Sequence, residues 1–180
     1  MPTQLVVARH GNTFDPGDVV RRVGARTDLP LSSSGRAQAL QLGQRLRDAD
    51  LLPAALYVST LQRTQQTAQL AMQAAHHSIT LQPLPQFDEI DYGPDEGQPE
   101  EAVIARIGRA ALENWDEDGV VPDGWLVDPA ALGAMWQNFA TRLLRESADC
   151  TTLIVTSNGI ARFAPLIAGT MADFKREHAP

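Results

Sequence analysis

Residues 5–13 have the sequence LVVARHGNT, a short apolar run that ends in Arg9, His10 and Gly11. The apolar run predicts a buried strand over residues 4–8, followed by a long loop rich in Gly, Asp, Arg and Pro. A guanidinium offers a planar fork of donors for phosphate oxygens. An imidazole can carry a phosphoryl group, and a glycine lets the backbone approach an anion closely. The tripeptide alone is equally compatible with an ordinary strand end.

Strand patterns and helix patterns alternate along the rest of the chain. We expect strands over residues 4–8, 56–59, 80–84 and 152–156, and helices over residues 32–48, 61–75, 100–115, 129–148 and 162–168. This alternation predicts an α/β fold, a three-layer α/β/α sandwich with a mostly parallel central sheet. Ligands of such folds bind at the carboxyl ends of the strands. Polar residues follow three of these ends, at Arg9 and His10, Ser59 and Arg63, and Ser157 and Asn158.

Three further blocks carry a family resemblance. They are TDLPLSSSGRAQA at residues 27–39, VSTLQRTQQTA at residues 58–68 and FDEIDYGPDEG at residues 87–97. In this order, and together with the first stretch, the blocks resemble the histidine phosphatase superfamily in its phosphoglycerate-mutase-like branch. The resemblance covers nearly the whole chain and implies a phosphoglycerate-mutase-like α/β fold.

The resemblance also implies roles for individual residues. His10 matches the nucleophile that forms a phosphohistidine, and Glu89 matches the proton donor. Arg9 and Arg63 match the arginines that clamp the phosphate, and phosphoryl transfer depends mostly on such positioning and charge stabilisation. The catalytic candidates are therefore His10, Glu89, Arg9 and Arg63. The phosphate-binding candidates are Arg9, Asn12, Thr13, Arg63, Ser157 and Asn158. Several acidic neighbours leave open which carboxyl group donates the proton.

One block departs from the family pattern. The family closes with a strand that supplies a second active-site histidine, whereas residues 152–162 have the sequence TLIVTSNGIAR. If Gly159 and Arg162 are aligned with the glycine and arginine of the family's motif, Ser157 occupies the histidine position. If the alignment is shifted by one residue, Asn158 occupies it. Either side chain donates only a neutral hydrogen bond. Losing a comparable donor costs about 10²–10³ in rate. The departure therefore predicts a weakened enzyme, an enzyme with a compensating group, or a protein that only binds phosphate.

Three functions follow from these residues. The first is a metal-independent phosphomonoester hydrolase, a phosphatase that acts through a phosphohistidine at His10. The second is a catalytically degraded protein that binds phosphate or a phosphorylated metabolite. The third is a phosphoglycerate-mutase-like phosphotransferase. We expect no cofactor, because the sequence has neither a Cys/His cluster with metal-ligand spacing nor a P-loop. The expected partner is a small phosphorylated metabolite, with specificity from residues 14–26 and 92–125.

Composition limits the remaining possibilities. The 180 residues fit one domain, residues 1–180, and the net charge of −7 argues against a binder of nucleic acid or of a membrane surface. No apolar run reaches the roughly 18–20 residues that cross a bilayer. A strand follows the N-terminus almost at once and leaves no room for a signal peptide. We therefore expect a cytoplasmic protein.

Overall fold

The computed structural model describes residues 3–146, 149–167 and 169. Its central sheet has four strands, β1 (Gln4–Arg9), β2 (Ala55–Val58), β3 (Leu81–Pro83) and β4 (Thr151–Thr156). Their order across the sheet is β1-β4-β2-β3, and each of the three pairings is parallel. All four strands therefore end at the same edge of the sheet, and the predicted parallel α/β architecture is confirmed.

The described residues form six α-helices, of which five lie between strands and the sixth follows β4. They are α1 (Ser33–Asp48), α2 (Gln62–Ala74), α3 (Glu100–Ile107), α4 (Arg109–Asp118), α5 (Pro129–Glu146) and α6 (Asn158–Ala161). Side chains alternate across each strand, so the sheet presents two apolar faces. Leu56 and Val58 pack with residues of α1 and α2, whereas Tyr57 packs with residues of α5. The predicted three-layer arrangement is thereby confirmed.

Two helices differ from the sequence prediction. The single helix predicted over residues 100–115 is wrong, because Gly108 adopts a φ of 83° and separates α3 from α4. The last predicted helix, residues 162–168, is also wrong. In its place the short α6 ends at Ala161, and a 3₁₀ turn spans Ala164–Ile167. Pro165 has no backbone N–H and disfavours an α-helical residue before it, which explains this break. Residues 147, 148 and 168 lie outside the described residues.

The three tryptophans belong to the apolar core. Trp115, Trp125 and Trp136 are all buried, as large aromatic side chains commonly are. Trp136 anchors α5 by donating a hydrogen bond from Nε1 to the carbonyl of Ile160, at 3.0 Å. None of the described helices combines the length and the apolar character needed to cross a bilayer.

Helices α1 and α2 pack closely enough to require a glycine. A Cβ added at Gly43 of α1 would lie 1.9 Å from the carbonyl oxygen of Ala71 on α2. The two helix backbones therefore touch at this point, and they bring the N-terminal ends of both helices to the sheet edge where β1 ends.

We predict that Gly43→Ala destabilises the protein by about 1–3 kcal/mol, because the two backbones must separate to admit the methyl group. This loss outweighs the gain of about 1 kcal/mol that alanine brings to a helix interior. Urea unfolding measures the difference. Gln41→Ala, at an exposed position of the same helix, is the matched control and should stay within about 0.5 kcal/mol. A net stabilisation by Gly43→Ala would contradict the proposed close contact.

Candidate active site

The loop after β1 holds His10 between three elements. The backbone N–H of His10 donates to the carbonyl of Thr156 at the end of β4, at 2.9 Å. The N–H of Gly11 donates to Oγ1 of Thr67 on α2, at 3.0 Å. A Cβ added at Gly11 would lie 2.3 Å from the carbonyl oxygen of Gly35 on α1, so no larger residue fits. The backbone around His10 is therefore fixed before any ligand binds.

The two ring nitrogens of His10 have defined protonation states. Nδ1 lies 2.7 Å from the carbonyl oxygen of Gly11, so it must carry a proton to donate there. Nε2 accepts a hydrogen bond from Nε of Arg63 at 3.2 Å, so it carries the lone pair. The ring is thus the neutral tautomer whose lone pair lies on Nε2, which is the form that a nucleophilic histidine requires.

Burial keeps this ring neutral. The pKa of His10 is lowered from 6.5 to about 4, mainly because of desolvation; the hydrogen bond to the Gly11 carbonyl opposes this shift, and the charges of Arg63 and Arg9 add to it. A histidine with this pKa is unprotonated at neutral pH. Nε2 of His10 is therefore unprotonated over the whole physiological range.

Arg63, in the first turn of α2, connects His10 to the loop over residues 22–27. Its side chain is fully buried. Besides the bond to His10, it donates from Nη1 to the carbonyl of Thr27 at 2.7 Å and from Nη2 to the carbonyl of Gly24 at 3.2 Å. A buried guanidinium needs such acceptors, because an unpaired charge in the interior is very costly. Arg63 thereby orients the His10 ring.

Glu96 holds the same loop from its other side. Oε1 of Glu96 accepts from the N–H of Gly24 at 3.1 Å, from the N–H of Arg26 at 2.9 Å and from the hydroxyl of Thr27 at 2.8 Å. Oε2 accepts from the N–H of Tyr92 at 3.3 Å. One carboxylate thus fixes the two residues whose carbonyls face Arg63.

Glu89 is buried at the carboxyl end of β4. Oε1 of Glu89 accepts a hydrogen bond from the N–H of Ile90 at 2.9 Å, and Oε2 accepts one from the N–H of Gly159 at 3.2 Å. Desolvation raises the pKa of Glu89, although both N–H groups and the charges of Arg63 and Arg9 oppose the rise. A Cβ at Gly159 would lie 2.3 Å from Oε1, so this glycine makes room for the carboxyl group. A carboxyl group with a raised pKa is suited to donate a proton.

A pocket of about 270 Å³ brings several of the predicted site residues together. Its wall includes Arg9, His10, Thr13, Glu89 and Asn158, and the remaining lining residues are Phe14, residues 20–23, Tyr92 and Glu100. The carboxyl ends of β1 and β4 therefore meet at one cavity, as a parallel sheet predicts.

Three of the predicted phosphate-binding residues do not line this pocket. Arg63 lies behind His10 and contacts its ring. Asn12 is exposed, and its amide nitrogen lies 3.5 Å from the hydroxyl of Ser34 on α1. Ser157 is fully buried, and its Oγ has no hydrogen-bond partner among the described residues. Of the two residues that the sequence suggests for the position of the second histidine, Asn158 is the one that lines the cavity.

Sequence reasoning did not assign roles to Glu96, Thr67 or Gly159. Glu96 stands in an acidic stretch, and nothing in the order of residues shows that it folds back onto residues 24–27. Gly159 was used only to align the last strand. In the described ranges, no group of three or more His, Cys, Asp or Glu side chains is arranged to hold a metal ion.

The family of the chain is shown by comparison with known proteins. Residues 5–174 match the profile of the histidine phosphatase superfamily (branch 1). The probable phosphoglycerate mutase GpmB of Enterobacter sp. strain 638 is 31% identical over 166 residues, which cover 88% of this chain and 70% of that protein. This chain belongs to the histidine phosphatase superfamily, and the resemblance found in the sequence is confirmed.

Solved structures share the fold. A mycobacterial glucosyl-3-phosphoglycerate phosphatase superposes with a TM-score of 0.75 at 21% identity, over 96% of this chain and 82% of that chain. The phosphoserine phosphatase of Entamoeba histolytica, solved with 3-phosphoglyceric acid, superposes with a TM-score of 0.71 at 21% identity, over 92% of this chain and 79% of that chain. YhfR of Bacillus stearothermophilus superposes with a TM-score of 0.71 at 26% identity, over 89% of this chain and 77% of that chain.

We predict that the His10 ring stays neutral down to about pH 5 and titrates near pH 4. Replacing Arg63 by methionine removes a positive charge from beside Nε2, so the pKa of His10 should rise in Arg63→Met. Heteronuclear NMR of the ring Cε1–H measures both values, with His10→Gln used for assignment and circular dichroism to confirm folding. Arg45→Met, on the exposed last turn of α1, is the matched control. A wild-type midpoint near pH 6.5 would contradict the desolvated site.

Proposed function

We propose that this protein is a metal-independent phosphatase that hydrolyses small phosphate monoesters through a phosphohistidine at His10. The proposal rests on two groups that line the same pocket, His10 and Glu89. His10 is neutral, and its two hydrogen bonds place the lone pair on Nε2. Glu89 is buried, and its pKa is raised. An unprotonated imidazole beside a carboxyl group with a raised pKa suits phosphoryl transfer to the imidazole.

The first chemical step forms the phosphoenzyme. The lone pair on Nε2 of His10 attacks phosphorus, the bond from phosphorus to the ester oxygen breaks, and the proton of Glu89 passes to that leaving oxygen. The proton on Nδ1 stays in its hydrogen bond to the Gly11 carbonyl. The alcohol departs and leaves a phosphorylated ring and an ionised Glu89.

The second step restores the free enzyme. The Glu89 carboxylate takes a proton from a water molecule, the resulting hydroxide attacks phosphorus, and the bond from phosphorus to Nε2 breaks. Inorganic phosphate leaves, His10 returns to its neutral form, and Glu89 is protonated again. One carboxyl group thus acts as acid and then as base, which a raised pKa allows.

Two arginines supply positive charge in this scheme. Arg9 lines the pocket, and its charge acts on both His10 and Glu89, so we assign it as the direct phosphate ligand. In the free enzyme Nε of Arg63 donates to Nε2 of His10, so this hydrogen bond must break before Nε2 attacks. The same N–H then donates to an oxygen of the attached phosphoryl group. Thr13 and Asn158 add neutral donors from the pocket wall.

The absent second imidazole lowers the expected rate. Asn158 donates a neutral hydrogen bond where a protonated imidazole would donate a charged one of about twice the strength. This substitution is also the observation that favours the second candidate function, a protein that binds a phosphorylated metabolite without turning it over. Transfer of the phosphoryl group to an acceptor other than water would define the third candidate, a mutase-like phosphotransferase.

We predict phosphate release from 4-nitrophenyl phosphate in the presence of a chelator, slower by about 10²–10³ than a related enzyme with both histidines. His10→Ala should abolish turnover because no other described pocket residue can replace its nucleophilic nitrogen. Glu89→Gln should slow release most for esters with poor leaving groups, because these need the proton. Phosphate release is measured by a coupled colorimetric assay.

Arg45→Met is again the control and should match the wild type. Equal activity in His10→Ala would rule out the phosphohistidine route. Binding of phosphate by a wild type that has no turnover, measured by calorimetry, would favour the binding protein.

A further inference from the structure

Glu96 takes no part in the proposed chemistry, and it is not among the residues that line the pocket. Its half-buried carboxylate contacts residues 24–27, the same turn whose carbonyls accept hydrogen bonds from Arg63. Two residues of this turn, Gly24 and Thr27, contact both charged side chains. Glu96 is therefore connected to Arg63 through two residues, and through Arg63 to the ring of His10.

Gly24 and Thr27 each bind the two charges with different groups. The carbonyl of Gly24 accepts from Nη2 of Arg63 at 3.2 Å, whereas its N–H donates to Oε1 of Glu96 at 3.1 Å. The carbonyl of Thr27 accepts from Nη1 of Arg63 at 2.7 Å, whereas its hydroxyl donates to the same Oε1 at 2.8 Å. The N–H of Thr27 closes the turn on the carbonyl of Gly24 at 3.4 Å. The position of the carboxylate thus determines where the two carbonyls lie.

The carboxylate packs so closely on the turn that residue 24 has to be glycine. A Cβ added at Gly24 would collide with Oε2 of Glu96 and would lie 2.7 Å from the carbonyl oxygen of Ile90. The same carbonyl of Ile90 accepts from the N–H of Ala25 at 3.0 Å, and the N–H of Arg26 is a further donor to Oε1 of Glu96, at 2.9 Å. The turn therefore has little freedom to move its carbonyls while Glu96 is in place.

Arg63 depends on these two carbonyls for its orientation. Its Nη1 and Nη2 donate to them, and its Nε donates to Nε2 of His10. The ring nitrogen stops being an acceptor when it attacks phosphorus, so the two carbonyls are the acceptors that persist through the reaction. A long and flexible side chain contributes most to phosphoryl transfer when its donors are fixed beforehand. The fixed carbonyls supply this order to Arg63.

We infer that Glu96 is a positioning residue of the active site, which fixes Arg63 through the carbonyls of Gly24 and Thr27. In the free enzyme this arrangement directs Nε–H of Arg63 at Nε2 of His10. Once Nε2 carries the phosphoryl group, the same N–H is already beside the phosphoryl oxygens, because Nη1 and Nη2 keep their carbonyl acceptors. The kinetic part of the inference rests on the proposed phosphatase function, whereas the contact between Glu96 and Arg63 does not.

The proton on Nε of Arg63 reports on this arrangement without any turnover. A buried N–H in a hydrogen bond exchanges slowly with water, and NMR measures its exchange rate. The loss of one resonance in Arg63→Met assigns the signal. We expect exchange at least about tenfold faster in Glu96→Ala, because the turn then loses the acceptor that fixes its carbonyls. Glu113→Ala, at an exposed position of α4, is the matched control and should leave the rate unchanged.

Two further substitutions separate the position of the carboxylate from its charge. Glu96→Gln keeps an oxygen where Oε1 lies but removes the charge, whereas Glu96→Asp keeps the charge on a side chain that is shorter by a methylene group. Positioning predicts slow exchange in Glu96→Gln and fast exchange in Glu96→Asp, and an effect of charge alone predicts the reverse. Thr27→Val removes one donor to Glu96 but keeps the Thr27 carbonyl. This milder variant should give an intermediate rate, and it serves as the test if circular dichroism shows that Glu96→Ala does not fold.

A double-mutant cycle tests whether Glu96 acts through Arg63. In 4-nitrophenyl phosphate hydrolysis, Glu96→Ala should lower kcat by about tenfold to hundredfold and change KM little, because Glu96 does not line the pocket. Adding Glu96→Ala to Arg63→Met should cause no further loss, whereas independent sites give additive losses.

A wild type without turnover would refute the phosphatase proposal alone, since the exchange measurement still tests the contact. Exchange that Glu96→Ala leaves unchanged, exchange that follows charge, or additive losses in kcat would overturn the inference.

Discussion

The buried guanidinium of Arg63 is the interaction on which the site depends. It joins three parts of the chain that are far apart in sequence, namely the loop after β1 through His10, the loop over residues 22–27 through two carbonyls, and α2, to which it belongs. A buried charge has to be matched by acceptors at fixed positions. Because a guanidinium can only donate, Nε2 of His10 must accept its hydrogen bond, and this contact determines which tautomer the ring adopts.

The long loop between β1 and α1 is ordered by carboxylates. Glu96 holds residues 24–27, Asp15 accepts from the N–H groups of Ser33 and Ser34 at the start of α1, and Asp28 accepts from the N–H of Gln62 at the start of α2. Negative charge at a helix N-terminus satisfies unpaired N–H groups and complements the helix dipole. The loop is therefore held at both helix ends that border the site, and it can carry pocket residues such as Arg22 without losing its shape.

Much of the fold follows from local patterns. Four apolar runs with helices between them predict the parallel sheet, and the residues after each run predict which side chains share an edge. The break at Gly108 and the short α6 are decided by single residues, Gly108 and Pro165, whose effects on a helix depend on the surrounding structure. The role of Glu96, the orientation of Arg63 towards His10 and the ion pair of Arg22 with Glu100 arise from contacts between residues more than 50 positions apart. No local pattern records such contacts.

The most direct test of the account identifies the phosphorylated nitrogen. Wild-type protein is mixed with a ³²P-labelled phosphate monoester and quenched rapidly in alkali, in which phosphohistidine survives. The labelled residue is then mapped by mass spectrometry, and its isomer is assigned by NMR. The account predicts phosphate on Nε2 of His10, because Nδ1 is committed to the Gly11 carbonyl. Phosphate on Nδ1, on another residue, or on no residue in protein that turns over its substrate would contradict it.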